Sequence, residues 1–487
     1  GPRALLQSLR EAANSIQNGD IVCIFAEGEM TRTGMMLPFR RGFERIMKGL
    51  TQPIIPIHLD RVWGSIFSFE KGRFFWKWPH HYPQAITITY GKPLPANTPA
   101  ASLRAAVQEL STESFAQRRD EMLPLHQAFI REVRSHPFRM AMADGNNPKV
   151  SYLSALIRSI LLARKLAPVW KGQEMVGLLL PPSVGAACTN LAILLSGRVP
   201  VNLNYTAAQD SVQSAADQCG IKTVITSRAF LEKIKVTPPG TPVFLEDLVP
   251  TISFSDKLVS TLQALFFPKT LIEWALGSTR TWTLDDLATV IFSSGSTGEP
   301  KGVMLSHYNI FANLEGIAQI LKVDKDDCIL GILPLFHSLG FTGGFWFPLL
   351  KGFRVIFHPN PMDARIIGSL ATRYSVTILA ATPTFISAYT RRVAPEQFGS
   401  VRYVMVGAEK LSERVAIAFD DHFGIRPHEA YGCTECAPAV TMNVPGFRAA
   451  GFYQIGSKRG AIGQPLPGIS VKIVDPETRV PLPLKTP

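Results

Sequence analysis

The densest chemistry in the sequence lies at 288–307, "ATVIFSSGSTGEPKGVMLSH", where an apolar strand runs into hydroxyls and glycines and then a lysine. Glycines leave backbone N–H groups open to close approach by a polyphosphate, hydroxyls donate to its oxygens, and Lys301 adds positive charge. Ser293, Ser294, Gly295, Ser296, Thr297, Gly298 and Lys301 are therefore the candidate phosphate-binding residues. A Walker A loop would carry Ser or Thr directly after Gly-Lys. Here Pro300 precedes Lys301 and Gly302 follows it, so this is a different cradle. A plain surface loop would leave a run of six small hydroxyl or glycine residues, and a placed lysine, to chance.

A second polar turn, "FAEGEMTRTG" at 25–34, crowds carboxylates, hydroxyls and Arg32 behind an apolar run, "IVCIF", that reads as a buried strand. Such a turn asks for a catalytic partner, and no histidine precedes it; His80, His81, His126 and His136 all lie downstream. Cys433-x-x-Cys436 has no second pair at metal spacing, which speaks against zinc.

The elements that must position these groups alternate. Residues 1–135 read as helix, strand ("DIVCIF"), polar turn, helix ("RRGFERIMKG"), strand ("PIIPIHL"), strand ("AITITYG") and a closing helical stretch over 101–135. The Gly/Asn/Pro cluster "ADGNNPK" makes 136–149 the expected linker. From 150 to 487, runs such as "MVGLLL", "TVIT", "ATVIFS", "VTILAA" and "RYVMVG" alternate with helical segments, as parallel strands buried on both faces do. Two uncharged stretches, 175–197 and 328–350, are long enough to cross a bilayer, but their internal prolines and glycines predict strand, loop and helix instead. Residues 258–277 are apolar and aromatic, suited to a membrane surface, to the core or to a partner.

A chain of 487 residues is long enough for two or more domains. Its 50 Lys+Arg against 38 Asp+Glu give +12, but the basic residues are scattered, which argues against nucleic acid and for anionic lipid or phosphorylated substrates. Six cysteines in such a chain make no disulfide scaffold, and a reducing, cytosolic setting is expected.

The segment Ser293-Ser294-Gly295-Ser296-Thr297-Gly298-Glu299-Pro300-Lys301-Gly302 resembles the signature of the adenylate-forming superfamily. "LPLFHSLG" at 333–340, "GAEKL" at 407–411 and "YGCTECAP" at 431–438 resemble its further motifs, in its order. The resemblance implies that a fatty carboxylate attacks the α-phosphate of ATP to give acyl-AMP and pyrophosphate. Glu435 would hold Mg²⁺ and Thr434 would contact the α-phosphate. The 294–301 loop would hold the β,γ-phosphates, while Tyr431, Gly432, Gly407, Ala408 and Glu409 flank the nucleoside. His337 would border the acyl pocket, and the two cysteines become variable places around Thr434 and Glu435.

"FAEGEMTRTG" with "PIIPIHLD" at 53–60 resembles the glycerophospholipid acyltransferases, in which Glu27 and Gly28 would shape a site and Arg32 would meet a lysophospholipid phosphate. Ala26 stands where that family usually has proline. That chemistry needs a histidine base with an aspartate four residues on, upstream of the turn, and the 24 residues before Phe25 hold no histidine.

Together the motifs resemble the bifunctional acyl-acyl-carrier-protein synthetase / 2-acylglycerophosphoethanolamine acyltransferase family. The implied fold is α/β: part of an acyltransferase domain over 1–135, then the large domain of an adenylate-forming enzyme over 150–487, its stacked, mostly parallel sheets flanked by helices. The implied cofactors are ATP and Mg²⁺. The implied partners are fatty acid, acyl carrier protein, lysophospholipid and the cytoplasmic face of a bacterial inner membrane. Neither the superfamily's later lid motif nor the acyltransferase base is in the sequence, so both ends read as cut and both activities as incomplete. The alternatives are a long-chain acyl-CoA synthetase with an extension, and a non-catalytic membrane-associated scaffold.

Overall fold

The computed structural model describes residues 2–72, 74–78, 83–293 and 299–482. Its largest element is a nine-stranded sheet in the order 464–465, 439–442, 428–432, 403–406, 378–381, 328–331, 354–357, 140–143, 150–151. From His428–Gly432 across to Met140–Ala143 every neighbour is parallel, and antiparallel pairs close both edges. Cys328–Gly331 and Ile378–Ala381 are buried along their whole length, which is why their sequences are unbroken apolar runs rather than alternating ones.

A four-stranded, wholly parallel sheet holds Val199–Asn202, Met175–Leu179, Thr223–Thr226 and Thr241–Phe244 in that order. Leu287–Ser293 pairs with Lys301–Ser306 as an antiparallel hairpin, rather than joining a parallel sheet as its apolar run suggested. It is tied to the four-stranded sheet by the Thr289 hydroxyl, which donates to the Pro200 carbonyl at 2.8 Å. Helices fill the spaces between, and Trp170, Trp346, Tyr152 and Tyr389 are among the largest fully buried side chains.

The two long uncharged stretches fold as expected. Met175–Leu179 is a strand, a loop follows, and Val184–Leu195 is a buried helix capped by Ser183. Cys328–Gly331 likewise leads through a loop into the wide helical turn Leu339–Trp346. Gly340 is required there, since a Cβ would lie 2.1 Å from the Pro334 carbonyl oxygen. No helix among the described residues is long and apolar enough to cross a membrane.

Two expectations fail for local reasons. Residues 21–25 form no strand: Ile21 is 99% and Phe25 76% exposed. Ile57–Asp60, the nearest strand in sequence, pairs with Thr87–Tyr90 alone, so 21–25 has no ladder to join among the described residues. Residues 136–149, expected as a linker, carry the strand Met140–Ala143, built into the nine-stranded sheet. The polar cluster after it is a tight turn: Asp144 Oδ1 accepts from the N–H groups of Asn146 and Asn147 at 2.9 and 2.7 Å, and the chain returns as Val150–Ser151. Toward the end, "ISVKIVD" is not a strand; Val474 makes an isolated bridge to Pro481.

Candidate active site

Parallel α/β sheets bind ligands beyond the carboxyl ends of their strands, where loops diverge and backbone groups are free. Three of the sequence-predicted segments fall on that one edge of the nine-stranded sheet. Cys328–Gly331 delivers 333–340, Tyr403–Val406 delivers Gly407–Glu409, and His428–Gly432 carries Tyr431 and Gly432 into Thr434–Cys436. Ile378–Ala381, between the first two, ends at Thr382, which caps helix Pro383–Arg392.

The 432–438 turn is tightly folded. A Cβ on Gly432 would lie 2.1 Å from the Pro438 carbonyl oxygen, so glycine alone fits there. The turn is also held from behind. Asn313, on the buried side of helix His307–Ile320, donates through Nδ2 to the carbonyls of Cys436 and Ala439 at 3.2 and 2.7 Å, and its Oδ1 accepts from the Ala439 N–H at 3.3 Å. Within the sequence-predicted site Thr434 is half-buried and Glu435 exposed, and Glu435 makes no hydrogen bond or ion pair among the described residues. A free, hard oxygen donor suits Mg²⁺, which is commonly held by one or two carboxylates together with substrate phosphates. No group of three or more metal-ligating side chains occurs among the described residues.

At the nucleoside end, Ala408 takes the left-handed conformation (φ 68°), turning the chain sharply after Tyr403–Val406. Thr384 Oγ1 donates to Glu409 Oε2 at 3.1 Å, linking two neighbouring strand ends. Tyr431 is half-exposed, its ring available for stacking. The Leu339 N–H donates to His337 Nδ1 at 3.2 Å; the residue is exposed to solvent, and the groups packed beside the imidazole lower its pKa by desolvation.

Ser293 and Lys301 face each other across the hairpin, with Lys301 exposed and its strand lying against the Thr434–Cys436 turn. Ser294, Gly295, Ser296, Thr297 and Gly298 lie outside the described residues.

In the N-terminal unit, Glu27 Oε2 accepts from the Leu37 N–H at 2.6 Å and Gly28 is left-handed (φ 69°). Burial raises the Glu27 pKa, against the lowering effects of that hydrogen bond and of Arg104. Arg32 is committed elsewhere: its guanidinium carbon lies 3.0 Å from the Phe69 ring centroid and 4.6 Å from that of Phe452, and burial lowers its pKa. Its backbone N–H donates to Gln454 Oε1 at 2.6 Å, while Gln454 Nε2 donates to the hydroxyls of Thr31 and Thr33 at 3.2 and 2.7 Å. Of the downstream histidines, His80 and His81 lie outside the described residues, His126 is buried against Glu273, and His136 bonds Glu132.

Asn313 and Gln454 were not foreseen. An asparagine among Ile310, Phe311, Leu314 and Ile317 on the buried face of one helix is the signal that could have found the first. Nothing in the local sequence marks Gln454.

A model of the AMP-binding enzyme family matches residues 129–487, and a model of the Acyltransferase family matches residues 3–60. The chain is 26% identical over 375 residues to 4-coumarate-CoA ligase 1 of Narcissus pseudonarcissus, an alignment covering 73% of this chain and 64% of that protein. It superposes on apo MatB from Rhodopseudomonas palustris with a TM-score of 0.59 at 24% identity, over 74% of this chain and 68% of the other. It is also similar to O-succinylbenzoate coenzyme A synthetase (MenE) from Bacillus subtilis, solved with AMP, with a TM-score of 0.60 at 19% identity over 74% and 68% of the two chains. The chain thus spans less than two thirds of the first of these relatives, and the solved structures speak for the fold.

Proposed function

Since the chain belongs to the AMP-binding enzyme family, we propose that it activates a fatty acid with ATP as acyl-AMP and loads it onto the phosphopantetheine thiol of acyl carrier protein. The acyl group then passes to a lysophospholipid hydroxyl at the cytoplasmic face of a bacterial inner membrane. The observation that carries the first step is the convergence of 333–340, 407–409 and 431–435 on one sheet edge, with Lys301 arriving from the hairpin.

In that step a carboxylate oxygen bonds to the α-phosphorus and the bond to the β-phosphate oxygen breaks, so pyrophosphate leaves. The carboxylate is a weak nucleophile, and the protein's task is positioning and neutralising charge. Glu435 would hold Mg²⁺, which supplies countercharge to the phosphates, and Thr434 would donate to an α-phosphate oxygen. Lys301 and the 293–298 residues would steady the departing phosphates. Tyr431, Gly432 and the Gly407–Glu409 turn would fix the nucleoside, and His337 would border the acyl chain.

For the second activity, the acyltransferase-model match over 3–60 supports a lysophospholipid role for Glu27, Gly28 and Arg32. For Arg32 to meet a phosphate, its guanidinium would have to leave the rings of Phe69, Phe447 and Phe452.

A second reading, transfer to coenzyme A, draws support from the 4-coumarate–CoA ligase relative. ATP–pyrophosphate exchange scored across fatty and aryl acids tests the first step. Labelled acid offered with either acyl carrier protein or CoA then separates the acceptors, and an aryl preference with CoA loading would replace the fatty-acid reading.

A further inference from the structure

Helix Phe254–Phe266 lies along helix Tyr152–Leu166, and Lys269–Ala275 folds back after it beside Leu125–Ser135. The inner side buries Ser260, Gln263, Ala264 and Ile272. The outer side leaves Phe254, Leu258, Leu262, Leu265 and Phe266 exposed by 81, 50, 44, 46 and 72%, and Trp274 by 71%. Positions 254, 258, 262, 265 and 266 share one helical stripe, so this is a continuous apolar face rather than scattered residues.

The charges within the hairpin itself are one-sided. Between 252 and 278 the sequence has two carboxylates, and both turn inward. Asp256 Oδ2 accepts from the N–H of the capping residue Ser253 at 3.0 Å and its carboxylate lies 2.7 Å from Lys165, while Glu273 is 4% exposed, bonded to His126 and accepting from Gln127. The exposed charge that remains is Lys257 in the first turn and Arg134 on the adjacent helix, whose guanidinium donates to the Phe267 carbonyl, with Lys269 half-exposed at the hairpin bend. An apolar stripe of Phe, Leu and Trp rimmed by cations, on a chain of net charge +12, complements an anionic lipid surface.

We propose that the 254–275 helical hairpin docks flat on an anionic membrane, its apolar stripe inserted at the level of the lipid headgroups. This deepens the proposed function by naming the surface that would bring the chain to its lipid-borne substrates, and it is read without any turnover.

The 487-residue chain is mixed with phosphatidylcholine vesicles, with or without phosphatidylglycerol, and floated on a density gradient. It floats with the anionic vesicles, less so as salt rises. The Leu258→Glu/Leu262→Glu double variant, altered only on the exposed stripe, loses vesicle partition by at least roughly tenfold. Its melting temperature and its pyrophosphate exchange with a short soluble acid stay at the parent's values. No flotation of the parent chain, or undiminished flotation of the double variant, overturns the proposal. Concentration-dependent dimerisation that the double variant abolishes, without vesicle binding, assigns the face to a second copy and overturns it too. Loss of exchange activity in the parent chain alongside intact flotation counts against the proposed reaction and leaves the docking surface standing.

Discussion

Glu435 is exposed at the edge where the sequence motifs converge and carries no ion pair or hydrogen bond among the described residues. Replacing it removes little from the fold, so Glu435→Ala is expected to cut pyrophosphate exchange at least roughly a hundredfold at unchanged melting temperature. Asn313 is the opposite case. Its amide satisfies two carbonyls and one N–H of the turn that carries Thr434 and Glu435. Asn313→Ala strands those groups in the interior, and the expected loss in urea unfolding is about 1–3 kcal/mol. Exchange activity should fall with it, because the turn loses its backing. The difference in legibility between the two has a physical root. Glu435 belongs to a contiguous motif whose chemistry is local, whereas the role of Asn313 exists only once a helix has packed against a segment more than a hundred residues away.

Whole elements are held by charges of unequal exposure. Asp60, at the end of Ile57–Asp60, accepts two hydrogen bonds from Arg118 at 2.7 and 2.5 Å, and the same guanidinium reaches Gln319 at 3.0 Å. Burial alone would raise the Asp60 carboxyl, but Arg118 and a backbone N–H outweigh it and its pKa lies below the ordinary value. Both side chains are largely buried, so Asp60→Ala leaves an uncompensated cation and is expected to cost about 3–5 kcal/mol in urea unfolding. Glu27 shows the reverse sign. Its native pKa is raised, so above the ordinary carboxylate range the folded state keeps a proton that the unfolded chain has released. Its contribution therefore grows as pH falls through that window and is lost as pH rises past the native value. Glu27→Gln should flatten this part of a stability–pH curve measured by urea titration. The elements between 150 and 432 were readable because strands buried on both faces are near-continuous apolar runs. "IVCIF" has the same composition without the same outcome, since a strand needs a neighbour to pair with, and periodicity carries no record of neighbours. "ADGNNPK" misled for a related reason: glycine, asparagine and proline mark a hairpin turn inside a sheet as readily as a tether between domains.

Across the whole molecule, the helix Leu125–Ser135, the hairpin helix Lys269–Ala275 and the start of His307–Ile320 meet at a buried polar knot. His126 Nε2 lies 2.9 Å from Glu273 Oε1, and His307 Nδ1 accepts from the Leu125 N–H at 3.2 Å. Burial lowers the pKa of both imidazoles, that of His307 strongly. The unfolded chain therefore takes up protons first on acidification, and stability should fall from about pH 7 towards pH 5. His307→Gln, which keeps an acceptor for Leu125, should reduce that slope in urea titrations at successive pH values. The fold class and three of the motif clusters on the sheet edge were legible as sequence; the joints between distant segments were not, because each is made by residues with no shared local pattern. Gln454 is the extreme instance. It grips Thr31, Arg32 and Thr33 from 421–423 positions further along the chain. During synthesis at about 5–20 residues per second, that early turn waits roughly 20–80 s before its clasp leaves the ribosome. Until then its hydroxyls lack the amide that later holds them and the Arg32 guanidinium has the Phe69 ring but not Phe452, so this turn is completed only when the distant segment arrives, and the nascent chain is exposed to chaperones and proteases over that interval.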